Sequence, residues 1–167
     1  TNSQHHSIKV FEKDDNFIHE NTIPHGYTAI GDYAFMLRDD ITSIEIPESV
    51  TSIGERAFLN CSNLESISIP SSVTSIGEYA FSGCSNLRKI IITDSVRIIG
   101  DGAFYGCSSL KEITIPNNSI GNMKWTFYGC SNLTDIIIPE GVTAIGEGTF
   151  YRCSNLTNVY IPDGVIS

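Results

Sequence analysis

From residue 23 onward, apolar and polar positions recur with a fixed step of 23 residues. Phe58, Phe81, Phe104, Phe127 and Phe150 keep that step, as do Cys61, Cys84, Cys107, Cys130 and Cys153. Three more apolar columns follow: Leu64, Leu87, Leu110, Leu133 and Leu156; then Ile67, Ile90, Ile113, Ile136 and Val159; then Ile69, Ile92, Ile115, Ile138 and Ile161. The last two alternate with variable residues, the period-2 signature of a strand with one buried face, so 65–69 and its equivalents are predicted strands. Proline at 47, 70, 116, 139 and 162 ends each strand without removing a ladder donor the sheet needs. The stretch 76–81, with glycine to permit a turn, an acid, and inward alanine and phenylalanine, predicts a short helical turn on the outer side.

The same alignment places Pro24, Ile30, Gly31, Ala34 and Phe35 in register with later units, and Arg38 where the others have cysteine. A period of this size belongs to solenoids in which each unit pairs one strand with a return segment and cannot bury its apolar side alone. Function is therefore sought on the surfaces of a stack rather than in a pocket inside one globule. The units read Ile-Pro-x-x-Val-x-x-Ile-Gly-x-x-Ala-Phe-x-x-Cys-x-x-Leu, as in 46–64 and 69–87. This motif resembles the BspA-like, treponemal-type leucine-rich repeats, and the resemblance covers residue 23 to the end. It implies a leucine-rich repeat solenoid, a right-handed α/β-type coil with a concave parallel β-sheet and short helical turns or short strands on the outer side. It also implies a cell-surface or secreted protein, of a class found in host-associated bacteria and in some protozoan parasites, acting in adhesion or in binding a host extracellular or surface protein. Family members differ in partner, so no ligand is inherited.

Residues that a repeat imposes are structural, and the informative ones lie where a column varies. Two free columns line the predicted concave face: Ser43, Ser66, Lys89, Glu112, Asp135 and Asn158, and beside them Glu45, Ser68, Ile91, Thr114, Ile137 and Tyr160. Exposed apolar residues flanked by charge have the character of a protein-binding patch; isoleucine is also simply a good strand former. Tyr105, Tyr128 and Tyr151 form a second candidate, either docking a peptide or glycan or covering the outer turn. One unit breaks the pattern: Ser119, Asn122 and Met123 stand where Val, Ile and Gly are expected, and Ile120-Gly121 looks like the lost pair displaced. A re-routed return segment is predicted there, with Trp125 exposed as a contact point or as drift in a tolerant unit. Residues 1–22 do not fit the repeat. Their strand, turn and second strand at Phe17-Ile18 predict an N-terminal cap, leaving 23–167 as one repeat domain.

Composition adds exclusions. A net charge of −9, with ten Lys and Arg scattered over the units, offers no basic face to displace counterions from nucleic acid. No apolar run approaches the ~18 residues that a membrane helix needs, so no membrane insertion is expected. Thr1 to His6 lacks the regions of a signal peptide, consistent with a mature, cytosolic or excised chain. Residues 163–167 begin a unit without finishing it, pointing to a missing downstream portion and to an open strand edge able to pair end to end with another copy.

The acids Asp32, Glu55, Glu78, Asp101 and Glu147 share a column that Lys124 interrupts. They read as favouring the positive end of each helical turn rather than as a calcium ladder. The cysteines, odd in number, read as a buried thiol ladder rather than as strained disulfides or zinc ligands. No metal or cofactor is expected. Phosphate-cradling loops, nucleophile elbows and His-Glu-x-x-His are absent from the sequence. A non-catalytic protein-binding module follows, with a structural spacer or stalk, or a cytoplasmic interaction scaffold, as alternatives.

Overall fold

The computed structural model describes residues 10–13, 15 and 21–167. Its strands are short: β1 (Val10–Phe11), β2 (Ala29–Ile30), β3 (Ser43–Ile44), β4 (Ser52–Ile53), β5 (Ser66–Ser68), β6 (Ser75–Ile76), β7 (Lys89–Ile91), β8 (Ile98–Ile99), β9 (Asp135–Ile137) and β10 (Asn158–Tyr160). All pairings are parallel. One layer runs β3-β5-β7 and resumes as β9-β10; the other runs β1-β2-β4-β6-β8. The register is that of the repeat, with Ser66 opposite Lys89 and Ser75 opposite Ile98. Phe17 and Ile18 lie outside the described residues, whereas Val10–Phe11 pairs with β2 and opens the second layer.

Between the layers lies a continuous apolar column. Phe11, Phe35, Phe58, Phe81, Phe104, Phe127 and Phe150 stack nearly parallel, with ring centroids 4.9 Å apart at the first step and 6.0 Å at the last. Stacking in this range adds about 0.5–1.5 kcal/mol per pair beyond burial. Beside them, the thiols of Cys61, Cys84, Cys107, Cys130 and Cys153 donate to the carbonyls of Phe35, Phe58, Phe81, Phe104 and Phe127 at 3.0–3.3 Å. All five cysteines are free. Burial pushes the Cys61 thiol up to about 12, and desolvation likewise raises Cys84, Cys107 and Cys130.

No α-helix occurs among the described residues, so the helical turn expected over 76–81 is corrected. Tyr79 and Gly83 adopt left-handed backbone conformations, with φ of 53° and 73°. These two residues, four apart, set the arc apart from a helix and let alternate amides between them face the next unit. Tyr79, Phe81 and Gly83 therefore donate forward to the carbonyls of Asp101, Ala103 and Tyr105 at 2.9, 2.8 and 2.7 Å. The intervening amides of Ala80, Ser82 and Cys84 close local turns onto Gly77, Tyr79 and Phe81. A helix would bond all of these amides within the unit; the arc instead splits them between the unit and its neighbour.

The acid column also finds another role. The Asp32 carboxylate accepts from the Glu55 amide of the next unit at 2.8 Å rather than capping a helix. Gly77 is required by space, not by turn geometry: a Cβ there would lie 2.5 Å from the Gly54 carbonyl carbon.

Both layers open at the same level. Met123 occupies the column of Gly54, Gly77 and Gly100, where a Cβ meets the backbone of the preceding unit at 2.4–2.6 Å in the regular units. That unit must stand off. Ile98 bridges Ile120, one residue short of the repeat, and β8 is the last strand of its layer. Met123 is buried where Ile120 is 61% exposed, so the displaced isoleucine does not refill its place in the core. In the other layer Lys89 and Glu112 form only a bridge, and Thr134 N reaches Lys111 O at 3.3 Å against 2.9 Å for Arg88 to Glu65.

Candidate binding face

Along β7 and β9 burial alternates out, in, out. Ile90 and Ile136 point into the core, and Lys89, Ile91, Asp135 and Ile137 point outward, as the pleat requires. Where the layer opens, Lys89, Ile91, Glu112, Thr114, Asp135 and Ile137 line one depression of about 480 Å³. Ile91 is 49% and Ile137 68% exposed, and Thr114 stands between them in the same column. Asn158 and Tyr160 do not line it; they stand on β10, in register with Asp135 and Ile137.

The charges here differ in freedom. Asp135 accepts from Asn158 Nδ2 at 2.6 Å and from the Thr134 hydroxyl at 2.8 Å. The Asn158 hydrogen bond, helped by Thr134, holds this carboxyl below its ordinary range, so it stays ionised with a fixed orientation. Lys89 and Glu112 face each other across the bridge, yet neither joins the ion pairs found among the described residues. In the early units the same columns hold Ser43, Ser66, Ser68 and Glu45, leaving a face of small polar groups.

The tyrosines are arranged differently from a row of open docking plates. Tyr105 and Tyr128 stack at 4.3 Å with 9° between planes, and Tyr128 and Tyr151 at 5.4 Å. Trp125 meets Tyr128 edge-on at 5.7 Å and is half-buried rather than exposed, correcting the expectation. The guanidinium of Arg152 lies over Tyr151, and that of Arg56 over Tyr79. Ring faces are thus occupied by one another, and a sugar would find mainly edges. The wider seam through Tyr33, Arg56 and Tyr79 was missed in the sequence. Its signal was in the later part of the column, where Tyr79, Gly102, Trp125 and Gly148 alternate large and small: a Cβ at Gly102 would strike the Tyr79 ring at 2.3 Å, and one at Gly148 the Trp125 ring at 2.1 Å.

Among the described residues, no group of three His, Cys, Asp or Glu side chains is placed to hold a metal ion. No helix among them is long and apolar enough to cross a membrane.

Two parallel layers of one-turn units around a shared apolar column define a leucine-rich repeat solenoid, a class built for protein interaction. A BspA type leucine rich repeat region, in 6 copies, matches residues 7–123 and 76–167, and the chain belongs to that family. Among solved structures, the leucine rich repeat protein of T. pallidum, TpLRR, is similar with a TM-score of 0.80 and 29% identity over 85% of this chain and 69% of its own. A leucine-rich repeat protein from Bacteroides ovatus shares 31% identity, with a TM-score of 0.66, over 86% of this chain. One from Eubacterium ventriosum shares 25%, with a TM-score of 0.74, also over 86%. The chain spans only 46% and 39% of the latter two proteins. Comparison with curated protein sequences returned no match.

Proposed function

We propose that this chain is a non-catalytic, protein-binding module of a cell-surface or secreted protein, taking its partner on the outward columns of β7, β9 and β10. The observation that carries the reading is the depression in which exposed Ile91 and Ile137 stand among Lys89, Glu112 and Asp135. An apolar centre with a charged margin is the composition of a recognition patch. Adhesion to a host extracellular or surface protein is the finer form of the proposal, and family membership is its support. The non-catalytic part rests on the repeated polar residues having structural work. The cysteine thiols bond phenylalanine carbonyls, and Asn63 Nδ2 donates to Asp39 O at 2.6 Å.

The test is binding to a panel of extracellular matrix and host-surface proteins, comparing the chain with the triple variant Ile91→Ser, Ile137→Ser, Tyr160→Ser. Loss of binding in a variant with an unchanged circular dichroism spectrum supports the reading. Absence of binding by both proteins overturns it in favour of a spacer, a role that the small polar faces of the early units would suit.

A further inference from the structure

Ile91, Thr114 and Ile137 occupy one column on three successive units, so the two isoleucines stand at least two strand spacings apart, about 9.6 Å in a closed ladder and more where this layer opens, with a shorter side chain between them. All three line the same depression, and the shorter threonine between two isoleucines leaves a slot there. Two residues earlier along each strand lie Lys89, Glu112 and Asp135. Along a strand, residues two apart face the same way at a separation of about 6.6 Å. An extended peptide laid along these strands has the same rise, so its own side chains at i and i+2 fall over the slot and over the charged column together.

The charge of that column is uneven. Glu112 and Asp135 provide two carboxylates against the single ammonium of Lys89, within a chain of net charge −9. Asp135 is kept ionised and oriented by Asn158 and Thr134. Glu112 has no ion-pair partner among those found in the described residues. Both are exposed at the margin of an apolar slot, where a cation of the partner would meet them while its neighbour is buried.

We propose that the slot recognises an extended peptide segment bearing an aliphatic or aromatic side chain and a lysine or arginine two residues away, the apolar group between Ile91 and Ile137 and the base over Glu112 and Asp135. This rests on the binding face proposed above and names what that face selects. Segments with an acid in place of the base are rejected by the same carboxylates, and segments with the base one residue away point it to the opposite side.

The experiment uses four acetylated, amidated pentapeptides: Ser-Leu-Ser-Lys-Ser, Ser-Leu-Ser-Glu-Ser, Ser-Ser-Ser-Lys-Ser and Ser-Leu-Lys-Ser-Ser. Each is titrated to millimolar concentration against the chain carrying labelled isoleucine methyl groups, with binding read from the methyl shifts of Ile91 and Ile137. Only the first is expected to shift both with saturation, and the other three to bind at least about threefold more weakly, the scale of an exposed charge contact or a small apolar burial. Glu112→Gln should narrow the difference between the lysine and glutamate peptides.

Thr114→Ile should abolish binding by filling the slot. A partner that merely sat on a ridge of isoleucines would bind this variant more tightly, so unimpaired binding overturns the proposal. So does equal binding of the lysine and glutamate peptides, or no binding by any of the four. The face itself is judged separately. Capture of a whole protein that the triple variant loses, with no peptide selectivity, leaves the face in place and removes only the slot.

Discussion

Replacing Gly77 by alanine adds one methyl group where the preceding unit leaves no room. The new Cβ would lie 2.5 Å from the Gly54 carbonyl carbon, 2.6 Å from Glu55 N and 2.7 Å from Gly54 O. Ordinary contact between such atoms begins near 3.5 Å, so the two units must part by about 1 Å. The bonds from Gly77 N to Ile53 O and from Thr74 N to Thr51 O, now 2.8 and 2.9 Å, would stretch to about 3.8 Å and cease to be hydrogen bonds. Two amides released, at about 1–1.5 kcal/mol each, with overpacking at the low end of its usual cost of about 1–3 kcal/mol, give a loss of about 3–5 kcal/mol.

Gly106 is the control because its glycine has the other cause. Its φ is +72° and the nearest atoms to an added Cβ are 3.8 and 3.9 Å away, so alanine there pays only for left-handed backbone, about 1–2 kcal/mol. Urea unfolding followed by far-ultraviolet circular dichroism and Trp125 fluorescence measures both. If Gly77→Ala loses no more stability than Gly106→Ala, close approach between units is not what the glycine column provides.

Other consequences follow from the same structure. Leu37 holds a left-handed φ of 63° with its side chain 62% exposed, so Leu37→Gly should stabilise by about 0.5–1 kcal/mol in a urea titration. Below pH 9 the thiols are protonated in both folded and unfolded chains; above it only the unfolded chain releases its protons, so stability falls as pH rises toward 12. Cys61 alone, raised from 9.0 to about 12, accounts for about 2 kcal/mol of that loss at pH 10.5. Cys61→Ala should flatten this slope, as read by unfolding free energy between pH 8 and 11. Restoring the motif with Ser119→Val, Asn122→Ile and Met123→Gly should close both layers and raise stability by about 1–2 kcal/mol, because the isoleucine gained at 122 offsets the buried Met123 side chain and the left-handed strain at 123 is relieved. A crystal structure of that variant should show strand pairing across Glu112.

Much of this architecture was legible in the sequence because its strands obey a local rule. Ile67 and Ile69 alternate with Ser66 and Ser68, and pleating alone then decides which side chains face out. The outward residues of the candidate face could be named for that reason. The return arc could not be read, because its conformation depends on bonds to the next unit. Tyr79 and Trp125 look like poor candidates for left-handed backbone until the forward amide bonds to Asp101 and Glu147 are seen. The opening at Glu112 was hidden for a similar reason: its cause, Met123, lies on the other layer of the neighbouring unit, and no local pattern connects the two.

The forward-donating arc also bears on how such a chain can change over generations. Every regular unit offers three amides on one side, as at Tyr79, Phe81 and Gly83, and three matching carbonyls on the other, as at Asp101, Ala103 and Tyr105. The backbone joint of one regular unit therefore fits that of another, and a duplication or deletion of one whole regular repeat leaves these amides and carbonyls satisfied. A shorter insertion breaks two rows of bonds at once. Length is thus inherited in steps, while outward columns such as Ser66, Lys89 and Asp135 drift freely from copy to copy. Recognition can be rewritten one unit at a time on a frame whose joints stay the same.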